Sequence, residues 1–176
     1  MRPETLIRSR RIHVGRVVSL RVDDVRLPDG RTAQREVVDH PGAAVIVPLT
    51  DGGEILMVRQ YRYAVGDVLL ELPAGTLERG EDPLACARRE LAEEVGAEAA
   101  RWETLAVLYP SPGVLTEVMH LFLARELTEG PPRGAEEEDL TIERLSFAEA
   151  LERVRRGEIR DAKSVAGLLL AAAWTR

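Results

Sequence analysis

Apolar and polar positions alternate through the first forty residues, in "VVSLRVDDVRL" and "TAQREVVDH" on either side of Pro28-Asp29-Gly30. A period of two sends successive side chains to opposite faces of a strand, and Pro-Asp-Gly is turn chemistry, so this stretch predicts an antiparallel hairpin. The pattern then becomes continuously apolar in "AAVIVPL" and "EILMVRQYR" around Asp51-Gly52-Gly53. That predicts a second hairpin whose strands are buried on both faces at the centre of a sheet. "VLLELPAG", "TLAVLY" and "VMHLFLA" follow as further strands, the last two separated by the turn-rich "PSPGVLTE". Proline, glycine and an acidic run mark "LTEGPPRGAEEED" as a loop before a short strand, "LTIERL".

A helical period appears between Asp82 and Gly96. Asp82 suits an N-cap, Pro83 the first helical position and Gly96 the residue past the end, which predicts a helix over 83–95. At 100° per residue Leu84, Ala87, Leu91 and Val95 share one face, while Glu90, Glu93 and Glu94 gather on another. Two more helices are expected, over 147–156 and 164–174, with Trp102 and Trp174 in the core. Strands, one long helix, strands and then helices predict an α/β (α+β) sandwich in which helices cover a mixed sheet. No internal repeat or linker interrupts it, so residues 1–40 are read as antiparallel strands of the same unit as 41–176.

Composition narrows the function more than the fold. The 176 residues are 45% hydrophobic and 31% charged, with a formal net charge of −6. This is a soluble globular composition, and the negative balance argues against a nucleic-acid partner, since phosphate backbones are held by clustered Lys and Arg. The longest apolar run, "VAGLLLAAAW", falls short of the ~20 residues that span a bilayer, and the first residues lack a secretory signal's apolar run. No membrane association is expected. Cys86, the single cysteine, is read as structural; one thiol permits no internal disulfide and fits a cytoplasmic location.

The glutamates of the long helix are the chemically informative feature. Glu90 and Glu94 are i,i+4 neighbours, an arrangement that costs roughly 0.2–0.5 kcal/mol in a bare helix. Anions in a last turn also oppose the macrodipole, by about 0.3–1 kcal/mol each when exposed. Arg89 offsets part of this but does not neutralise three carboxylates. A hard divalent cation would, because carboxylates one turn apart can converge on it. A solvated, glutamate-rich face is the alternative for "RELAEE" taken alone.

The neighbouring residues bear on that choice. Gly75, Glu81, Arg89, Glu90, Glu93, Glu94 and Gly96 follow the spacing G-x5-E-x7-R-E-U-x-E-E-x-G-U, with U a bulky aliphatic. At background residue frequencies such a match has chance odds of about 10⁻⁶ in a chain of this length, and about 10⁻⁵ once its richness in Glu is allowed for. The spacing is the Nudix box, and the chain resembles Nudix hydrolases; the final U position is Ala97, smaller than usual. The resemblance implies a Nudix-type α/β/α sandwich with a mixed sheet, and Mg²⁺- or Mn²⁺-dependent cleavage of a nucleoside diphosphate linked to another group. It implies Glu90, Glu93, Glu94 and the Ala74 carbonyl as metal ligands, with Glu81 and Arg89 orienting them.

Other segments point to a branch. "VRQYR" (58–62), "ELPAG" (71–75) and Pro112 in "SPG", sixteen residues after Gly96, resemble the ADP-ribose pyrophosphatases. By that resemblance Arg62 contacts phosphate, and Arg59, Thr76, Pro112 and Arg35 belong to substrate binding. A catalytic base is expected in "GAEEED", Glu138 first and Glu137 second, with Glu117 a weaker candidate and Glu93 and Glu81 in supporting roles. The branch implies a homodimer formed through the N-terminal strands. Tyr61 and Tyr63 fit either base stacking or strand packing. The expected reaction is Mg²⁺-dependent hydrolysis of ADP-ribose to AMP and ribose 5-phosphate, extending to other nucleoside diphosphate sugars. Alternatives are NADH, coenzyme A, GDP-mannose or diadenosine polyphosphates as substrates, or a non-catalytic ADP-ribose sensor.

Overall fold

The computed structural model describes residues 2–133 and 139–174. They fall into two units, Met1–Gly42 with Tyr109–Val118, and Ala43–Leu108 with Met119–Arg176.

The first unit is an antiparallel sheet of β1 (Thr5–Val14), β2 (Ser19–Arg26) and β3 (Thr32–Asp39), in that order. The expected turn joins β2 to β3: Gly30 takes φ 89°, where a side chain would be strained, and its N–H donates to the Leu27 carbonyl at 2.9 Å. Val38 carries the other edge. Its N–H donates to the Val114 carbonyl at 2.8 Å, and its carbonyl accepts from Thr116 N–H at 3.0 Å. β1 is exposed along its whole length, including Leu6, Ile12 and Val14.

The second unit holds β4 (Ala43–Pro48), β5 (Glu54–Arg62), β6 (Asp67–Glu71), β7 (Ala74–Thr76), α1 (Pro83–Val95), β8 (Ala97–Leu108), β9 (Met119–Glu129), β10 (Leu140–Ser146), α2 (Phe147–Arg155) and α3 (Ala162–Trp174). One sheet has the order β7-β4-β9-β8 and is mixed, since β4 runs parallel to β9 and the other pairs are antiparallel. A second sheet, β10-β5-β6, is antiparallel.

The continuous apolar runs are explained by what each face meets. In β4, Val45 and Val47 enter a core with Leu168 and Ala171 of α3, while Ala44 and Ile46 enter another with Ala87, Leu91 and Val95 of α1. β5 divides likewise, Ile55 and Met57 on the α3 side, Leu56 and Val58 on the α1 side. Helices on both faces of buried strands make the expected α/β/α sandwich.

Two expectations are corrected. The turn at 51–53 forms, with Thr50 N–H donating to Glu54 O at 2.9 Å and Gly53 at φ 78°, but the flanking strands are not a hairpin. Past an isolated Leu49–Ile55 bridge they part into different sheets, because β7 and β9 occupy both edges of β4 while β6 and β10 occupy those of β5. Trp174 is not a core residue: it is 53% exposed, and its indole N–H donates to Glu103 at 2.9 Å. Trp102 is half-buried, edge-on to Phe122 with centroids 6.3 Å apart. No helix among the described residues is long and apolar enough to cross a membrane.

Candidate active site

α1 is built as its capping residues predict. The Asp82 carboxylate accepts from the N–H groups of Leu84 and Ala85, both at 3.0 Å. Gly96 closes the helix at φ 65°, its N–H donating to Leu91 O. A Cβ at Gly96 would lie 2.3 Å from the Gly130 carbonyl oxygen, so both the backbone angle and the space require glycine.

The glutamate face is not a solvated one. Glu90 is 9% exposed and Glu94 5%, while Glu93 is half-buried. Removing a carboxylate from water is costly without a compensating charge or hydrogen bonds, which sets these residues apart from surface glutamates. The Ala74 N–H donates to Glu94 at 3.1 Å. Glu90 lies over Gly75 so closely that a Cβ there would come within 1.8 Å of its carboxylate oxygen. β7 thus brings bare backbone against both glutamates.

Arg89 ties the helix's acidic residues together. Its Nη1 donates to Glu90 at 2.5 Å and to Glu93 at 3.1 Å, and its Nε and Nη2 donate to the two Glu81 oxygens at 3.1 and 3.2 Å. The hydrogen bonds from Arg89 hold the Glu81 carboxyl below the usual range, and the same contacts raise the guanidinium further above its own. Cys86 is fully buried against the β7 carbonyls, and burial pushes its thiol up to about 12. At neutral pH it is an inert packing residue.

The other candidates are dispersed. On β5, Arg62 pairs bidentately with Glu71 at 2.9 and 2.7 Å. Arg59, three residues away and so on the opposite face, pairs with Glu143 of β10 at 2.6 Å. Thr76 is exposed at the end of β7. Arg35 belongs to the first unit and pairs with Glu4 at 2.6 Å. Pro112 sits in that unit's loop, where Leu115 N–H donates to Ser111 O at 2.9 Å. In the same loop Glu117 lies 3.9 Å from His40. Tyr61 and Tyr63 are both exposed, at or beyond the end of β5. Glu137 and Glu138 lie outside the described residues.

Sequence reasoning passed over one cluster. Glu71 is 1% exposed and meets Lys163 as well as Arg62. Its signal was a carboxylate within the apolar run "VLLEL". A cavity of about 400 Å³ also borders the outer side of α1, lined by Arg88, Arg89, Ala92, Glu93, Trp102 and Arg133 among others.

Residues 39–168 match the family model of the NUDIX domain, and residues 4–38 match the nucleoside diphosphate sugar hydrolase N-terminal domain. The chain belongs to the Nudix family. This Nudix protein is 45% identical to an ADP-ribose pyrophosphatase of Mycobacterium tuberculosis, over 96% of its own length and 83% of the relative's. It is 40% identical to an ADP-ribose pyrophosphatase of Bacillus subtilis, over 92% and 88%. A GDP-mannose pyrophosphatase of Cronobacter sakazakii is 37% identical over 81% and 80%. In structure it resembles an ADP compounds hydrolase, with a TM-score of 0.86 over 99% of this chain and 95% of the other. At 23% identity that likeness speaks for the fold. The Nudix protein is accordingly a pyrophosphohydrolase, of a family generally dependent on divalent metal.

The residues suit such a metal in their chemistry. Glu90, Glu93 and Glu94 offer hard oxygen donors, two of them buried and close to the backbone of Ala74 and Gly75. Among the described residues no three His, Cys, Asp or Glu side chains are already gathered at one point. The carboxylates are instead engaged with Arg89 and the Ala74 N–H.

Proposed function

We propose that this protein hydrolyses the diphosphate of ADP-ribose to AMP and ribose 5-phosphate, using Mg²⁺ or Mn²⁺. The observation that carries the reading is the burial of Glu90 and Glu94 against the glycine-lined backbone of β7. The preference for ADP-ribose comes from relatives that carry that activity in their names.

Glu90 and Glu94, with Glu93 and the Ala74 carbonyl, would hold the metal. When bound, it would neutralise the diphosphate oxygens and acidify the attacking water. The protein's own part is orientation. Arg89 fixes Glu90 and Glu93 from one side and is itself fixed by Glu81, so the acidic face keeps one arrangement. Arg62 supplies a fixed positive charge for phosphate, and Glu138, or Glu137 after it, takes the proton of the attacking water. Arg35, Arg59, Thr76 and Pro112 complete the substrate-binding set, in a cytoplasmic homodimer built through the N-terminal strands.

A panel of ADP-ribose, GDP-mannose, NADH, coenzyme A and diadenosine polyphosphates, with Mg²⁺ and with EDTA, tests the reading. The expected result is metal-dependent release of AMP from ADP-ribose at the highest kcat/KM. Faster cleavage of GDP-mannose would favour the second reading, which a GDP-mannose pyrophosphatase among the relatives supports. Tight ADP-ribose binding without turnover of any compound would make the protein a sensor.

A further inference from the structure

Glu71 is the most deeply buried carboxylate among the described residues, and the mechanism above leaves it without a task. Its two oxygens receive Nε and Nη2 of Arg62 at 2.9 and 2.7 Å, a planar two-point pairing that fixes the guanidinium in orientation as well as position. Nη1 stands outside that pairing, and the Arg62 side chain remains 42% exposed. One edge of the arginine is therefore anchored and the other faces open space.

The anchor is itself anchored. Lys163, at the start of α3, pairs with Glu71 and donates to Asp161 at 2.8 Å. Asp161 accepts from Ser164 N–H at 3.0 Å and from its hydroxyl at 2.5 Å. The Ser164 oxygen in turn accepts from Leu72 N–H at 2.7 Å, the residue after Glu71. Two residues further on, Ala74 N–H holds Glu94. The charges of Glu71, Asp161, Arg62 and Lys163 cancel, which lets a buried carboxylate stay ionised. Glu71, which grips Arg62, thus stands three residues before the backbone N–H that donates to Glu94 at 3.1 Å, so one short stretch of chain joins the anchored arginine to the candidate metal site.

We propose that Glu71 and Lys163 are positioning residues that aim Arg62 at a substrate phosphate beside Glu94. The role rests on the reading of that site as a diphosphate-cleaving one. Charge balance asks only for a cation beside Glu71, because Lys163 is shared with Asp161; the two-point pairing adds a fixed orientation to a guanidinium whose side chain is still 42% exposed.

A double-mutant cycle between Glu71→Gln and Arg62→Ala tests this, read as KM and kcat for ADP-ribose with Mg²⁺ and as Kd for ADP-ribose by calorimetry in EDTA. In the wild-type background Glu71→Gln should raise KM and Kd by about ten- to a hundredfold, the scale expected of a misdirected binding group, with kcat near wild type. In Arg62→Ala the same change should add nothing, because residues acting through one another are not additive. Lys163→Met should reproduce the loss and Lys163→Arg restore most of it. Equal losses in both backgrounds, or a lowered melting temperature with KM and Kd unmoved, would overturn the proposal. If wild type binds ADP-ribose without hydrolysing it, the Kd arm still decides the positioning role while the hydrolase reading fails. If wild type neither binds nor cleaves it, both are overturned.

Discussion

Gly75 shows how much of the site depends on one missing atom. The Glu90 carboxylate occupies the space a Cβ would fill, at 1.8 Å from its oxygen and 1.9 Å from its carboxyl carbon. Gly75→Ala must therefore push the Glu90 side chain aside, which a flexible glutamate can do without unfolding the helix. Mg²⁺-dependent turnover should fall by about ten- to a hundredfold, with far-ultraviolet circular dichroism unchanged. Glu71 sets a second expectation. Burial pushes its carboxyl up, but the hydrogen bonds from Arg62 and the charge of Lys163 outweigh this and hold it below its ordinary value of 4.5. A depressed carboxyl contributes stability that is present above its unfolded value and lost as pH falls through the folded one. Urea midpoints measured from neutral pH down to about pH 3 should fall for wild type, and start lower but change less for Glu71→Gln.

Among the elements, α1 was the most legible and the β4–β5 pair the least. The ends of α1 are set by local chemistry, with the Asp82 cap, Pro83 and Gly96, and the structure places it over Pro83–Val95 as expected. The partners of β4 are set by strands distant in sequence, Ala74–Thr76 and Met119–Glu129, which a turn at 51–53 does not reveal. The buried carboxylates divide in the same way. Glu90 and Glu94 announced themselves through helical spacing, whereas Glu71 acquires its meaning from Lys163, 92 residues away. Trp174 was misread because aromatic character alone does not say which side of a terminal helix faces solvent. Gly96→Ala tests the cap on which α1 depends: a left-handed residue costs about 1–2 kcal/mol without glycine. The clash with the Gly130 carbonyl adds to that. The melting temperature should drop by several degrees or more, while Gly113→Ala, at an open position, should leave it unchanged.

At the scale of the whole molecule, the exposed β1 is the feature a monomer accounts for least. Leu6, Ile7, Ile12 and Val14 are all more than two-fifths exposed on an edge strand paired on one side. Such edges invite pairing with another chain. Light scattering should give twice the 19.5 kDa chain mass, and Leu6→Lys with Ile12→Lys should return the monomer mass. The central claim is more specific: the buried glutamates of α1 exist to hold a metal over a diphosphate. It is tested most directly by AMP release from ADP-ribose across a Mg²⁺ titration, comparing wild type with Glu94→Gln, which keeps an acceptor for the Ala74 N–H. The account predicts that Glu94→Gln folds, melts in EDTA no lower than wild type, and loses at least about a hundredfold in turnover at every Mg²⁺ concentration. Turnover by Glu94→Gln equal to wild type, with the same dependence on Mg²⁺, would contradict it.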